Sequence, residues 1–187
     1  MKLHLVYRGA LKSNGGAPHK MAIRRTLHAQ LRWLWDQKPV SSLRDRGALS
    51  SHDEKPKDSI LVPVGPFTFA PLVTTRYALV AGVDVLLLRP QEPGNILRHA
   101  GDLDNRLKTL LDSLSTPSLQ DLPPGDAPRA DESPFCTLLE DDGLVVSVAV
   151  RTGRLLEPAH PNEVLAIIEV DVRPTVGTWG NISLAGT

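Results

Sequence analysis

The sequence has a single cysteine and no long apolar run. Cys136 cannot form a disulfide within the chain, and no CxxC motif or cluster of cysteine and histidine accompanies it, so the sequence supports neither a disulfide framework nor a zinc site. No apolar run approaches the roughly 18 residues of a membrane span. The first residues, MKLHLVYRGALKSNGG, also lack the apolar segment of a signal peptide. We therefore expect a cytoplasmic protein with no membrane partner.

Two further absences narrow the possible organisation. The segment SNGGAPHK does not end in the G-K-[ST] of a nucleotide-binding P-loop, so its glycines indicate a flexible turn. No internal repeat is visible. A chain of 187 residues with 41% hydrophobic residues can bury one core of ordinary size. We expect a single domain over residues 1–187.

The zero net charge hides an uneven distribution of charge along the chain. Residues 1–57 contain 12 Lys and Arg against 4 Asp and Glu, whereas the remaining 130 residues contain 9 against 17. A basic region is typical of a protein that binds a polyanion, and an acidic excess is what a cation-binding centre needs. Surfaces are also charged for solubility alone, so both interpretations stay open.

Apolar residues at three- and four-residue spacing predict two helices. The first is expected from about His19 to Gln37, and the second over LDNRLKTLLDSL, residues 103–114. Strands are predicted at LHLVY (3–7), RYALVAGVDVLLLRP (76–90), EDDGLVVSVAVRTG (140–153) and EVLAIIEVDVRP (163–174). In the second of these, Val83 to Leu88 should be buried on both faces. The segment ILVPVGPFTFAPLV is interrupted by three prolines, which disfavour a central strand.

Two segments are expected to be flexible loops, at about residues 39–59 and 115–134. The first is polar without a sustained period, and the second contains five prolines and almost nothing to bury. The order of elements predicts an α/β (α+β) domain in which a small mixed β-sheet is covered by two main helices. Fold class alone assigns no chemistry.

The first predicted helix carries a basic stripe beside its apolar one. Lys20, Arg24, His28 and Arg32 follow one another at four-residue steps, and Arg25 is adjacent. Such a stripe can track the phosphates of a nucleic acid, whose contacts dominate affinity without reading sequence. The alternative is a solvated helix face with no ligand.

Acidic residues at the start of the second helix form the other candidate site. Asp102 and Asp104 can point the same way only if an extended segment leads into a helix that begins at about Asp104, with Lys108 one turn later. Asp141 and Asp142 precede a predicted strand and could complete a shell of oxygen ligands, which suits Mg²⁺ or Mn²⁺. Taken singly, the acids of the first pair could be helix caps, and those of the second pair could shape a turn.

The combination of these residues resembles the RusA family of Holliday junction resolvases, which are small Mg²⁺-dependent homodimeric endonucleases. The resemblance lies in Asp102-Leu103-Asp104-Asn105, Lys108, Asp112 and Leu114, followed by Asp141-Asp142 and Val145-Val146. It implies that Asp102, Asp104 and Asp142 bind the metal and that Lys108 acts at the scissile phosphate, while Asp141 assists or shapes the turn. It also implies a RusA-like fold, a homodimer and branched DNA as substrate. The long segment 115–134 departs from the family, whose members usually have a short connection there.

Chemistry supports a metal in such an enzyme. A phosphodiester is anionic and repels hydroxide, so one or two metal ions would neutralise its oxygens and activate water. We therefore expect a Mg²⁺-dependent endonuclease acting on branched DNA, with Mn²⁺ as a substitute. Two alternatives remain: a nucleic-acid-binding protein that keeps the fold but does not cut, and a metal-stabilised structural or interaction protein.

Overall fold

A computed structural model describes residues 1–51, 53, 58–90, 100–157, 160, 162–178 and 180–184. Within residues 100–102 and at residue 182 it describes the backbone only. In this part of the chain there are three helices and seven strands. In chain order they are β1 (Lys2–Ala10), α1 (Ala17–Leu34), α2 (Ser41–Asp45), β2 (Val62–Val64), β3 (Phe67–Val73), β4 (Leu79–Arg89), α3 (Ala100–Asp112), β5 (Phe135–Leu139), β6 (Val145–Arg154) and β7 (Glu163–Pro174).

The strands form two mixed sheets, so the protein has an α+β fold. The larger sheet has the order β1-β7-β4-β6, in which β7 is antiparallel to both neighbours and β6 is parallel to β4. The smaller sheet has the order β2-β3-β5, with an antiparallel and a parallel pair. The sequence analysis expected one small mixed sheet, and this is wrong because the described residues form two. None of the described helices is long and apolar enough to cross a membrane.

The core lies between the inner face of the larger sheet and the helices. On α1, the predicted apolar stripe is buried at Ile23, Leu27 and Leu31. Burial alternates along β4, where Val83 and Val85 are buried while the residues between them are only partly covered. The prediction that β4 is buried on both faces is wrong, because only one face of its sheet packs into the core.

Both strands of the hairpin at residues 62–73 were missed because of its prolines. Pro63 lies in β2, which is an edge strand, so its missing N–H removes no ladder bond from a central position. Pro71 lies in β3 beyond the three residues that pair with β2. Gly65 makes the turn between the strands with φ +56°, a conformation that favours glycine.

The two segments expected to be loops are only partly irregular. Within 39–59, α2 buries Leu43, and Val40 and Ala48 on either side of the helix are also buried. Residues 52 and 54–57 lie outside the described part. Segment 115–134 contains one short 3₁₀ turn at Leu119–Asp121 and no other helix or strand. Most of its residues are exposed or half-buried, but Glu132 is buried, at 2% exposure.

Candidate metal and nucleic-acid site

Helix α3 extends further toward the N-terminus than the sequence suggested. It runs from Ala100, so Asp104 lies inside the helix and not at its first residue. The prediction of an extended lead-in that ends at about Asp104 is therefore wrong, and so is the interpretation of Asp104 as a helix cap. Asp102 belongs to the same helix, but its side chain lies outside the described residues. Lys108 follows Asp104 by one turn, as predicted.

The second pair of acids lies in a short turn between β5 and β6. The side chain of Asp141 accepts a hydrogen bond of 2.8 Å from the backbone N–H of Gly143. Asp142 begins the 3₁₀ turn Asp142–Leu144, which leads directly into β6. Asp141 thus shapes the turn that presents Asp142, which is one of the two roles that the sequence left open for it.

A cleft between α3 and β6 brings together most of the predicted catalytic residues. It has a volume of about 450 Å³. Its polar lining comes from Asp104, Lys108, Asp112 and Asp142. Its apolar walls are Leu107, Leu111, Leu139, Val145 and Val148. Two separate elements, a helix and a turn, therefore contribute carboxylates to one opening, and Lys108 lies between Asp104 and Asp112 on the helix.

A second cavity adjoins this cleft and shares Asp112 and Asp142 with it. Its volume is about 280 Å³, and it is also lined by Lys20, Asp121 and Asp141. The ammonium of Lys20 lies 2.6 Å from a carboxylate oxygen of Asp112. Lys20 therefore links α1 to the candidate site through an ion pair.

The chemistry of the cleft fits a hard cation in part. Asp104 and Asp142 supply carboxylate oxygens, and Mg²⁺ is typically held by one or two carboxylates together with waters and substrate phosphate. Among the side chains that the structure describes, no group of three or more Asp, Glu, His or Cys residues could hold a metal ion. The predicted ligand set also includes Asp102, whose side chain lies outside the described residues.

Arg24 does not belong to a solvent-facing stripe. It is 4% exposed, and its Nε and Nη2 donate to the carbonyl oxygens of Ser115 and Asp112 at 2.9 and 2.7 Å. Asp112 is the last residue of α3 and Ser115 follows the helix, and backbone acceptors at a helix C-terminus lack partners within the helix. Burial lowers the pKa of the Arg24 guanidinium to about 10. The prediction that Arg24 contacts nucleic acid is wrong for this conformation, because the residue joins α1 to the end of α3.

His28 is buried as well, at 2% exposure. Its Nδ1 accepts a 2.9 Å hydrogen bond from the backbone N–H of Cys136, so its Nε2 carries the proton that reaches the carbonyl oxygen of Asp131 at 3.1 Å. The ring also packs against Phe135, with centroids 4.7 Å apart. The prediction of a phosphate contact is wrong for His28 too, because both of its nitrogens are used inside the protein.

The remaining basic residues of the stripe contact segment 115–134. Arg25 donates to Asp126 at 2.9 Å and to Glu132 at 2.8 Å. Arg32 is exposed and donates to the carbonyl oxygen of Asp131 at 3.1 Å. Hydrogen bonds from Arg25 lower the pKa of Asp126. The basic face of α1 therefore anchors an acidic segment of the same chain.

Comparisons with known proteins give no assignment. No family model matches the chain, and no curated protein matches it significantly.

Two residues of the site were not recognised as such from the sequence. Asp112 follows Lys108 by one helical turn, so the four-residue spacing from Asp104 to Asp112 already places all three on one helix face. That spacing was a usable signal. Asp121, in contrast, lies in an irregular segment, where spacing predicts no direction for a side chain. Its carboxylate accepts a 2.6 Å hydrogen bond from the Ser118 hydroxyl, which lowers the pKa of Asp121.

Proposed function

We propose that the protein is a Mg²⁺-dependent, structure-specific endonuclease that cleaves phosphodiester bonds in branched DNA such as Holliday junctions, during recombination or repair. The observation that carries the proposal is the cleft that Asp104, Lys108 and Asp142 line together. The RusA-like fold, the homodimer and the cytoplasmic location belong to the same proposal. They are supported by the sequence motif and by the α+β architecture in which helix α3 and the turn before β6 carry its residues.

In this proposal the predicted metal-binding and catalytic residues have distinct tasks. Asp104 and Asp142, with Asp102, would hold Mg²⁺ or Mn²⁺. The bound ion would supply Lewis-acid stabilisation of the phosphate and lower the pKa of a coordinated water. Lys108 places a positive charge where negative charge develops on the phosphate oxygens in the transition state. Asp141 keeps the turn in shape through its bond to Gly143 and acts by positioning Asp142.

A second candidate function is supported by the contacts of helix α1. A non-cleaving nucleic-acid-binding protein needs no complete ligand set, and no cluster of three ligands occurs among the described side chains. Arg24 and His28 face the interior of the protein. The residues of the predicted stripe that could still contact phosphates are Lys20, Arg25 and Arg32. Of these, Lys20 and Arg25 already have acidic partners. We prefer the nuclease, because a pure binding protein does not require carboxylates in its cleft, where they repel phosphate.

The experiment that separates the two functions uses three DNA substrates. A synthetic four-way junction, a flap and a plain duplex of equal length are incubated with the protein, with and without Mg²⁺. The nuclease proposal expects paired cuts in the junction that depend on Mg²⁺ or Mn²⁺, and little cleavage of the duplex. Junction binding without any cleavage in either metal would support the binding protein instead. Absence of both cleavage and binding at low salt would contradict both candidates.

A further inference from the structure

Three charged side chains follow one another along the face of α3 that lines the cleft. Asp104, Lys108 and Asp112 lie at four-residue steps, and residues at this spacing have Cβ atoms about 5–6 Å apart. Lys108 therefore has one carboxylate a turn before it and another a turn after it. Among the described residues, its ammonium forms an ion pair with neither. The positive charge of the cleft is thus left unpaired although two acids of its own helix are within reach.

The second of these acids is taken by a lysine from another helix. The Nζ atom of Lys20, on α1, lies 2.6 Å from Oδ2 of Asp112. The two side chains are 21% and 26% exposed, so the pair is partly shielded from water. In the part of the chain that the structure describes, Asp104 has no such basic partner. The arrangement therefore neutralises Asp112 and leaves Asp104 and Lys108 unpaired.

The position of Lys20 is fixed by the packing of α1 against the second half of α3. One turn after Lys20, Nη2 of the buried Arg24 donates to the carbonyl oxygen of Asp112 at 2.7 Å. Just before α1 begins, the backbone N–H of Gly15 donates to the hydroxyl of Thr109 at 3.0 Å. Contacts on both sides of Lys20 thus hold the start of α1 against α3, which brings the ammonium to Asp112.

An ion pair of this exposure contributes little to stability, so its main consequence is the charge of the cleft. The cleft is lined by Asp104, Asp112 and Asp142 against the single Lys108. Lys20 offsets one of the three carboxylates from outside. Without it, Asp112 would repel an incoming phosphate and would also compete for the ammonium of Lys108 at the four-residue spacing of a helical ion pair.

We propose that Lys20 is a positioning residue of the candidate site. By pairing with Asp112, it keeps the Lys108 ammonium unpaired and available to the phosphate, and it removes one repulsive charge from the cleft. Lys20 therefore acts through Asp112 and Lys108 and not by contacting DNA. The effect on cleavage rests on the proposed nuclease function, whereas the competition of the two lysines for Asp112 does not.

The first test compares rates of single-turnover cleavage of a four-way junction with Mg²⁺. Lys20→Met should cut about 10-fold more slowly, because an uncompensated charge at a protein surface is only partly screened by water. Lys20→Arg should recover most of the rate, since a guanidinium also pairs with a carboxylate. Lys12→Met is the matched control: it removes the same charge from an exposed lysine that lines neither cavity, and it should cut like the unaltered protein.

A double variant separates the electrostatic role from a structural one. If Lys20 only stabilises the fold through its ion pair, Lys20→Met combined with Asp112→Asn should be no better than Lys20→Met, because the pair is still absent. If Lys20 acts by neutralising Asp112, the double variant should regain cleavage to within about 3-fold of the unaltered protein, since the charge that needed neutralising is gone. A double variant as slow as Lys20→Met, or a Lys20→Met protein that cuts at the unaltered rate, would overturn the proposal.

The second test needs neither DNA nor metal. An amine that pairs with a carboxylate is acylated more slowly than an unpaired one, so the rate of Lys108 acetylation by an N-hydroxysuccinimide ester reports its pairing. Mass spectrometry should show Lys108 reacting about twofold more slowly in Lys20→Met, the factor that an ion pair at this spacing supports, and at the unaltered rate in the double variant. The rate at Lys12 serves as the internal reference. An unchanged rate at Lys108 in Lys20→Met would show that Asp112 does not compete for it.

The two tests distinguish this inference from the proposed function. Slower acetylation of Lys108 in Lys20→Met, in a protein that cuts no junction, would refute the nuclease and keep the exchange of partners. A protein that cuts junctions, but in which the double variant regains nothing, would keep the nuclease and refute the role of Lys20.

Discussion

Replacement of the cleft carboxylates by amides separates a structural role from a catalytic one. The change Asp104→Asn keeps the size of the side chain and removes its charge. Asp104 is exposed in α3, and Lys108 lies four residues later on the same helix face. An ion pair at that spacing on a helix surface contributes about 0.3–0.5 kcal/mol. Since α3 begins at Ala100, no capping bond is lost. The free energy of unfolding should therefore change by no more than about 0.5 kcal/mol.

The effect on cleavage should be much larger. If Asp104 holds a hard cation, the amide weakens metal binding and misplaces the ion, and the expected loss is at least about 100-fold in rate, on the order of 3 kcal/mol. Asp142→Asn and Asp102→Asn should show the same separation between stability and activity. Lys108→Ala should lose cleavage to a similar degree while metal binding is retained, because a lysine stabilises charge on the phosphate and is not a ligand.

The assay is single-turnover cleavage of a four-way junction with Mg²⁺, alongside urea unfolding and a metal-free binding measurement for each variant. Asp45→Asn is a suitable control, since the Asp45 side chain is 65% exposed and, within the described part of the chain, pairs with the neighbouring Arg44. Asp121 would be a poor control, because it lines the second cavity with Lys20. If the three amide variants cut at the rate of the unaltered protein, the assignment of the carboxylates as metal ligands is refuted.

Three further measurements test the packing around α1. Glu132→Ala should lower the free energy of unfolding in urea by about 2 kcal/mol, because it leaves part of the Arg25 guanidinium without its buried partner; an unchanged midpoint would show that the segment is not anchored there. Arg25 holds the pKa of Asp126 below its ordinary value of 3.8, so the stability that Asp126 contributes is present above pH 3.8 and is lost as pH falls through the lowered pKa. Asp126→Asn should therefore reduce the loss of unfolding free energy as the pH is lowered below 3.8, and an unchanged dependence on pH would contradict this. Burial raises the pKa of the Cys136 thiol to about 12, so a thiol reagent should modify it at least about 100-fold more slowly in the native protein than in guanidinium; rapid native labelling would show that the site opens.

Periodic parts of the sequence predicted the structure well. The helix expected from about His19 to Gln37 is α1, and its buried stripe is where the spacing placed it. The strands expected at 140–153 and 163–174 correspond to β6 and β7. In α1 and β7 the apolar pattern repeats over several turns or several alternations, so it records which face is buried.

Other parts were not predictable from local pattern. Strand β3 contains Pro71 at a position where its antiparallel neighbour β2 has already ended, and only the pairing of strands reveals this. The start of α3 at Ala100 has no cap signal that distinguishes it from a start at Asp104. The position of Asp142 relative to α3 depends on how β6 packs, which no spacing within the sequence records. The cleft therefore joins residues whose proximity is a tertiary property.

The basic stripe of α1 shows most clearly that local spacing does not predict tertiary contacts. Four-residue spacing correctly placed Lys20, Arg24 and His28 on one side of α1, but it could not tell what covers that side. The cover comes from residues about 100 positions later, where Asp131 and Glu132 meet the helix.

The uneven charge of the chain has its physical explanation in these contacts, and that explanation bears on how DNA would bind. Lys20 pairs with Asp112, and Arg25 pairs with Asp126 and Glu132, so basic charge from the first 57 residues is neutralised by acidic charge from the rest. Positive charge that is already paired releases few counterions from DNA, so affinity should have only a shallow dependence on salt. The carboxylates of the cleft oppose a phosphate unless a cation is present. Removal of one such charge by Asp142→Asn should therefore tighten metal-free junction binding while it abolishes cleavage, a combination that a simple loss of folding cannot produce.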